Sequence, residues 1–299
     1  MKSVFSTLTH SRALCSSLFL LGGALAANGI TVYSEDFTGQ TSLSSDFTVT
    51  TQPGVTYGVS TTEGNPAPSM SLVDTGSSYG SAYVQGSHWN SFGTGNPGEH
   101  IFQVSWDWRV DASTSAIGSN STMRFNLSLS ATGATGSKIS VGFGHATING
   151  TDTNFFYAGG ASAAPFPSSA NAIGFNGTTL DDGFNFGAYS TTGSENNTDG
   201  NYYRFTLTYA DNATTAELTV YNTADESQSA TVTITGLTPT SVYNTNGRSF
   251  EVVAGGAGTG TSYFDNIELA AIPEISSTSA MFAMASLLTC WLFKRRRSR

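Results

Sequence analysis

Two carboxylates set two or four residues apart on one strand face could cut a sugar chain, and "SWDWRVD" offers one such pair, Asp107 and Asp111. A retaining glycoside hydrolase needs carboxyls about 5 Å apart, one serving as nucleophile and the other as acid and then base. No E-x-D-x-E run delivers them in compact form. Asp107 and Asp111 alternate with Trp106, Trp108 and Val110, so they read more simply as outward positions of a strand that ends in a turn. His88 and His100 stand twelve apart in Gly-rich stretches, a spacing open to a metal pair, although unattached loop histidines are the simpler reading. His145 closes "GFGH" without any G-x-S-x-G nucleophile motif to serve. "DDGFNFG" from Asp181 does not carry the ligand spacing of an EF-hand loop. No catalytic residue is assigned.

Aromatic side chains offer a different chemistry. Tyr79, Tyr83, Trp89 and Phe92 crowd the loop-rich stretch "YGSAYVQGSHWNSFG". Exposed rings there would stack on sugar faces while amides and acids bond hydroxyls, although core packing competes for the same side chains. Two functions from different classes follow: a noncatalytic protein that binds glycan or gives structural support, and a secreted polysaccharide hydrolase or lyase with a divergent site. The want of a carboxylate pair at working spacing favours the first. A purely architectural role without ligand also fits. Six N-x-S/T triplets, from Asn120 to Asn212, reflect a chain rich in Asn and Thr.

Strands must position these groups. In "IFQVSWDWRV" the residues Phe102, Val104, Trp106, Trp108 and Val110 share one face, and Gln103, Ser105, Asp107 and Arg109 the other. The same period of two runs through "TMRFNLSLS" and "YYRFTLTY", and again in "AELTVYN", "ATVTIT" and "SFEVV". Gly- and Ser-rich clusters separate them, as in "SATGATGSK" and "GGAGTGTS". Strands with one apolar face bury it only against a second sheet or by closing into a barrel. The expected fold is therefore all-β, a two-sheet antiparallel sandwich of jelly-roll type over residues 28–271. "AGGASAAPFPSSANA" reads as a long surface loop within it.

Charge and cysteine usage bear on the compartment. Between residues 28 and 271 five positive residues face twenty acidic ones, a formal charge of −15. Such a domain repels nucleic acid, which needs Lys and Arg to displace its counterions. Cys15 and Cys290 both lie outside this region, so it has neither disulfides nor Cys-bound metal. Residues 1–26 combine sparse positive charge, an apolar centre from Ala13 to Leu25, and small residues at Ala24 and Ala26, the pattern of a cleaved secretory signal helix. From Ser276 the chain offers roughly 18 mostly apolar residues, near the lower limit for a membrane helix. Lys294, Arg295, Arg296, Arg297 and Arg299 follow, and basic clusters stay cytoplasmic, which leaves the sandwich outside.

The end of the chain, residues 272–299, resembles the bacterial PEP-CTERM sorting signal. Pro273 and Glu274 match its proline–glutamate pair, and a Ser/Thr stretch, a short span and the basic cluster follow, while Ile275 stands where the second proline is expected. The resemblance implies recognition by an exosortase-type membrane transpeptidase and transfer to the cell surface or an exopolysaccharide matrix. "YSEDFTG" from Tyr33 and "SYFDNIELAAIP" from Ser262 resemble the first and last strands of concanavalin-like and carbohydrate-binding jelly rolls, which pair side by side. That resemblance implies a structural calcium ion held by Glu35, Asp36 and Asp265. Strand-end carboxylates that cap turns are the plainer reading of the same three residues.

Overall fold

The computed structural model describes residues 30–76, 80–85, 100–111, 123–128, 138–148, 151–161, 173, 185–188, 200–210, 213–238, 249–254 and 258–273. Fifteen strands lie among them. They are β1 (Ile30–Glu35), β2 (Phe47–Thr51), β3 (Val55–Ser60), β4 (Ser69–Gly76), β5 (Gly80–Gln85), β6 (His100–Asp111), β7 (Met123–Ser128) and β8 (Lys138–Ile148). There follow β9 (Thr151–Ala161), β10 (Asn185–Ala188), β11 (Tyr203–Ala210), β12 (Ala216–Asn222), β13 (Asp225–Ile234), β14 (Ser249–Ala254) and β15 (Gly258–Pro273). The stretch Thr31–Ala271 forms one compact unit.

The larger, eight-stranded sheet runs β13-β12-β11-β6-β15-β4-β3, with β1 also paired to β15. The smaller, seven-stranded sheet runs β10-β9-β8-β7-β14-β5-β2. First and last strands thus lie side by side, as the two end motifs imply. The chain crosses repeatedly between the sheets, because each strand of alternating polarity must turn its apolar side toward the partner sheet.

The alternation read from the sequence is the alternation observed. Phe102, Val104, Trp106, Trp108 and Val110 of β6 are buried, as are Tyr203, Phe205, Leu207 and Tyr209 of β11, with which β6 pairs antiparallel. Trp106 lies parallel to Phe125 of the smaller sheet at 3.9 Å between ring centroids and to Phe205 at 5.2 Å. Phe125 in turn stacks on Phe250 of β14 at 5.5 Å. Trp108 meets Phe156 from β9 at 5.2 Å and Phe264 from β15 at 5.0 Å. This aromatic seam fixes the two sheets face to face, each ring pair adding about 0.5–1.5 kcal/mol beyond the area it buries. Tyr57 of β3 ties them a second time: its hydroxyl donates to the Val252 carbonyl at 3.0 Å and accepts from the Ala254 amide at 3.2 Å, both in β14.

One break in alternation matters for the outer face of the larger sheet. On β15 both Phe264 and Ile267 are fully buried, although three positions separate them. Asp265 and Asn266 fill the gap, and Asn266 takes a φ of 48°, in the left-handed region that Asn tolerates better than most residues. Two polar side chains therefore leave β15 where a regular strand would offer one.

The N-terminal stretch expected to be a secretory signal and the apolar run from Ser276 expected to span a membrane lie outside the described residues. Among the described residues, no helix is long and apolar enough to cross a membrane. Trp106→Ala is expected to lower folding stability by about 3–5 kcal/mol, read from the urea midpoint at unchanged slope, because the cavity opens at the centre of the ring stack.

Candidate functional site

On the outer face of the larger sheet, Asp107 of β6 lies directly across from Arg204 of β11, and Arg204 from Tyr221 of β12. Arg204 grips the carboxylate with two donors: Nε bonds Oδ1, and Nη2 bonds Oδ2 at 2.8 Å. Asn266 Nδ2 bonds the same Oδ2 at 2.8 Å, and Asn65 Nδ2 bonds it at 3.2 Å. Asp107 is fully buried although it points away from the core. The cover is the β3–β4 connection, residues 61–68, which crosses this face. Its Asn65 is fastened at three points, since the Asn65 amide also donates to Asp265 Oδ2 at 2.6 Å and its carbonyl accepts from Asn266 Nδ2 at 2.6 Å. A charge this deep is tolerable only when paired and fully hydrogen-bonded. The Arg204 guanidinium is raised above its ordinary value, first by its hydrogen bond to Asp107.

Asp265 sits beside it, also fully buried. Its Oδ1 accepts from the Asn266 amide at 2.7 Å. Burial pushes its carboxyl up to about 6, the two backbone donors offset part of that rise, and the charges of Asp107 and Asp36 add to it.

Farther along β6 the groups are reachable. Arg109 bonds Asp111 through Nε at 2.9 Å and Nη2 at 2.6 Å, and Glu63 of the covering connection through Nη1 at 2.6 Å. Its guanidinium lies 5.9 Å from the Tyr202 ring centroid and 5.4 Å from that of Tyr263. The side chains of Arg109, Glu63 and Asp111 are 21%, 34% and 28% exposed, so they meet solvent without being free to swing. Burial alone would lower Arg109, yet its bonds to Asp111 and the nearby Glu63 charge outweigh that and raise it. Burial raises the hydroxyls of both Tyr202 and Tyr263 above the usual phenol range, so both stay protonated and neutral. The result is a small fixed array of guanidinium, two carboxylates and two phenols.

The structure places the sequence-derived candidates as follows. Asp107 and Asp111 do leave the same face of β6, but they do not act as a pair: Asp107 is sealed with Arg204, and Asp111 serves Arg109. Asp107 does take the outward position expected of it, but the connection covers it. Glu35 ends β1, Asp36 follows it and Asp265 lies on the neighbouring β15, and each accepts from nitrogen donors. Glu35 Oε1 accepts from the Phe37 amide and Gln40 Nε2, both at 2.9 Å, and Asp36 Oδ1 caps the Thr38 amide at 2.9 Å. No group of three or more His, Cys, Asp or Glu among the described residues could hold a metal ion. Tyr83 lies in β5 opposite Thr48 of β2 and Glu251 of β14. Tyr79, Trp89, Phe92, His88, Glu274, Lys294, Arg295, Arg296 and Arg297 lie outside the described residues, and Pro273 ends β15.

Glu63, Asn65, Arg204, Tyr202, Tyr263 and Asn266 were not among the sequence candidates. Scarcity was the available signal: Arg109 and Arg204 are two of only five cations between residues 28 and 271.

No protein-family model matches this chain. No curated protein matches it either. Among solved structures it is similar to a peanut lectin with a 9mer peptide, at 11% identity and TM-score 0.43, over 82% of this chain and 98% of that one. It is similar to lectin II from Ulex europaeus at 11% identity and TM-score 0.43, over 81% of this chain and 99% of that one. A protein of unknown function from Shewanella oneidensis is similar at 16% identity and TM-score 0.40, over 85% of this chain and 93% of that one. Likenesses this distant identify neither a ligand nor a reaction for this chain.

Asp107→Ala leaves Arg204 and two amides without their acceptor, and a loss of about 3–5 kcal/mol is expected in urea unfolding. Asp265 binds its proton more tightly folded than unfolded. Its contribution to stability is thus fully present below the ordinary value of 3.8 and is lost as pH rises through about 6. The melting temperature should fall across that window in the wild type and more weakly in Asp265→Asn.

Proposed function

We propose that this chain is an exported, noncatalytic envelope protein whose sandwich binds polysaccharide on the outer face of its larger sheet. The observation that carries the reading is the Arg109 array, in which a partly exposed guanidinium is held against two phenol rings by Asp111 and Glu63. Fixed carboxylates accept from sugar hydroxyls, the guanidinium N–H groups left over donate to them, and Tyr263 offers an amphipathic ring face. Such a site is assembled before the ligand arrives, so little ordering entropy is spent on binding.

Export rests on the signal pattern of residues 1–26, and anchoring on the apolar span with its basic end. An exosortase-type transpeptidase acting near Pro273 and Glu274 would release the sandwich to the cell surface or an exopolysaccharide matrix. Tyr79, Tyr83, Trp89 and Phe92 remain candidates for a second aromatic contact with the same polymer.

A hydrolase or lyase is the second reading, and the raised Asp265 carboxyl favours it, since a general acid needs that property. Against it, Asp265 and Asp107 are both fully buried beneath residues 61–68, where no polymer reaches them.

A glycan array probed with the full chain in mild detergent, with product analysis of each hit, tests the proposal. Binding without released oligosaccharide is expected, and Tyr263→Ala or Arg109→Ala should weaken it about fivefold to tenfold. Released product would favour the enzyme reading, and no binding to any glycan would leave only the architectural one.

A further inference from the structure

The outer face of the larger sheet continues past the Arg109 array as an ordered field of hydroxyls. Strand register places Ser105 of β6, Thr206 of β11, Thr219 of β12 and Thr231 of β13 in one row. Gln103, Thr208, Glu217 and Thr233 form the next. Neighbours in a row stand about 4.8 Å apart by strand spacing, and Thr219 Oγ1 lies 3.2 Å from Thr231 Oγ1. All eight side chains are partly or fully exposed. None is apolar and only Glu217 is charged.

The ionic groups around this field are one-sided. Its two guanidiniums, Arg109 and Arg204, are each already bonded to carboxylate. Glu63, Asp107, Asp111, Glu217 and Glu268 oppose them, and Glu268 accepts from Thr31 Oγ1 at 2.6 Å. A polyanion laid here would meet net negative charge, because each guanidinium already faces carboxylate. The surrounding charge of −15 between residues 28 and 271 would also slow its approach. An uncharged polyol meets none of that opposition. Its hydroxyls can donate to Glu63, Asp111 and Glu217 and exchange bonds with Ser and Thr, whose hydroxyls both donate and accept.

We infer that the ligand of this face is an uncharged, hydroxyl-bearing polysaccharide, lying from the Arg109 array across the Ser105–Thr206–Thr219–Thr231 row. The inference rests on the glycan-binding reading above and narrows it to one chemical class of polymer.

Affinity electrophoresis of the full chain in mild detergent tests it, with a neutral β-glucan and a neutral galactomannan in parallel with polygalacturonate and alginate. Retardation by at least one neutral polymer is expected, about tenfold tighter than by either polyuronate and little changed by salt. The double variant Thr206→Val with Thr219→Val should weaken that retardation severalfold at an unchanged melting temperature, while Thr48→Val on the smaller sheet leaves it intact. Equal or stronger retention by a polyuronate, lost in Tyr263→Ala, would overturn the neutral-ligand inference and leave glycan binding standing. Retention of no polymer would overturn both.

Discussion

A fully buried carboxylate on the outside of a sheet is the constraint from which the rest of this structure follows. Asp107 points away from the aromatic seam, toward what would be water, yet it is covered. Removing an ion from water costs several kcal/mol, and one opposite charge seldom makes that good unless the remaining lone pairs also find donors. Arg204 supplies the charge from the neighbouring strand, and Asn65 and Asn266 supply the donors. Those two asparagines bond to each other as well, so the β3–β4 connection and β15 are closed over Asp107 as one polar unit.

The accessible chemistry is a consequence of that closure. With Asn65 fixed, Glu63 two residues before it is brought to Arg109, and Arg109 is drawn between Tyr202 and Tyr263. The buried unit provides rigidity and the exposed unit provides contact. The aromatic seam on the other side of β6 holds the strand flat against the second sheet, so the same twelve-residue strand serves core, support and site.

Much of this was legible in the sequence because a strand announces itself locally. The period of two in "IFQVSWDWRV" and "YYRFTLTY" gave the strands, their inward faces and the need for two sheets. The pairing of the first and last strands followed from a resemblance at the two ends. The site did not follow, because its contacts join residues far apart in the chain: Asn65 reaches Asp265 across 200 positions, and Asp107 reaches Arg204 across 97. Alternation placed Asp107 on the outward face, but it does not show what lies over that face. The one local clue to the irregularity in β15 was the change of parity in "SYFDNIEL". There Phe264 and Ile267 cannot both face inward on a regular strand, and an Asn stands where a left-handed residue would restore the fit.

Hydrogen–deuterium exchange of the full chain, with and without saturating neutral polysaccharide, reaches the central claim most directly. The account predicts new protection confined to residues 61–68 and to β6, β11, β12, β13 and β15 of the larger sheet, with the polymer recovered at its original length. Protection confined to the smaller sheet, or a shortened polymer, would contradict it.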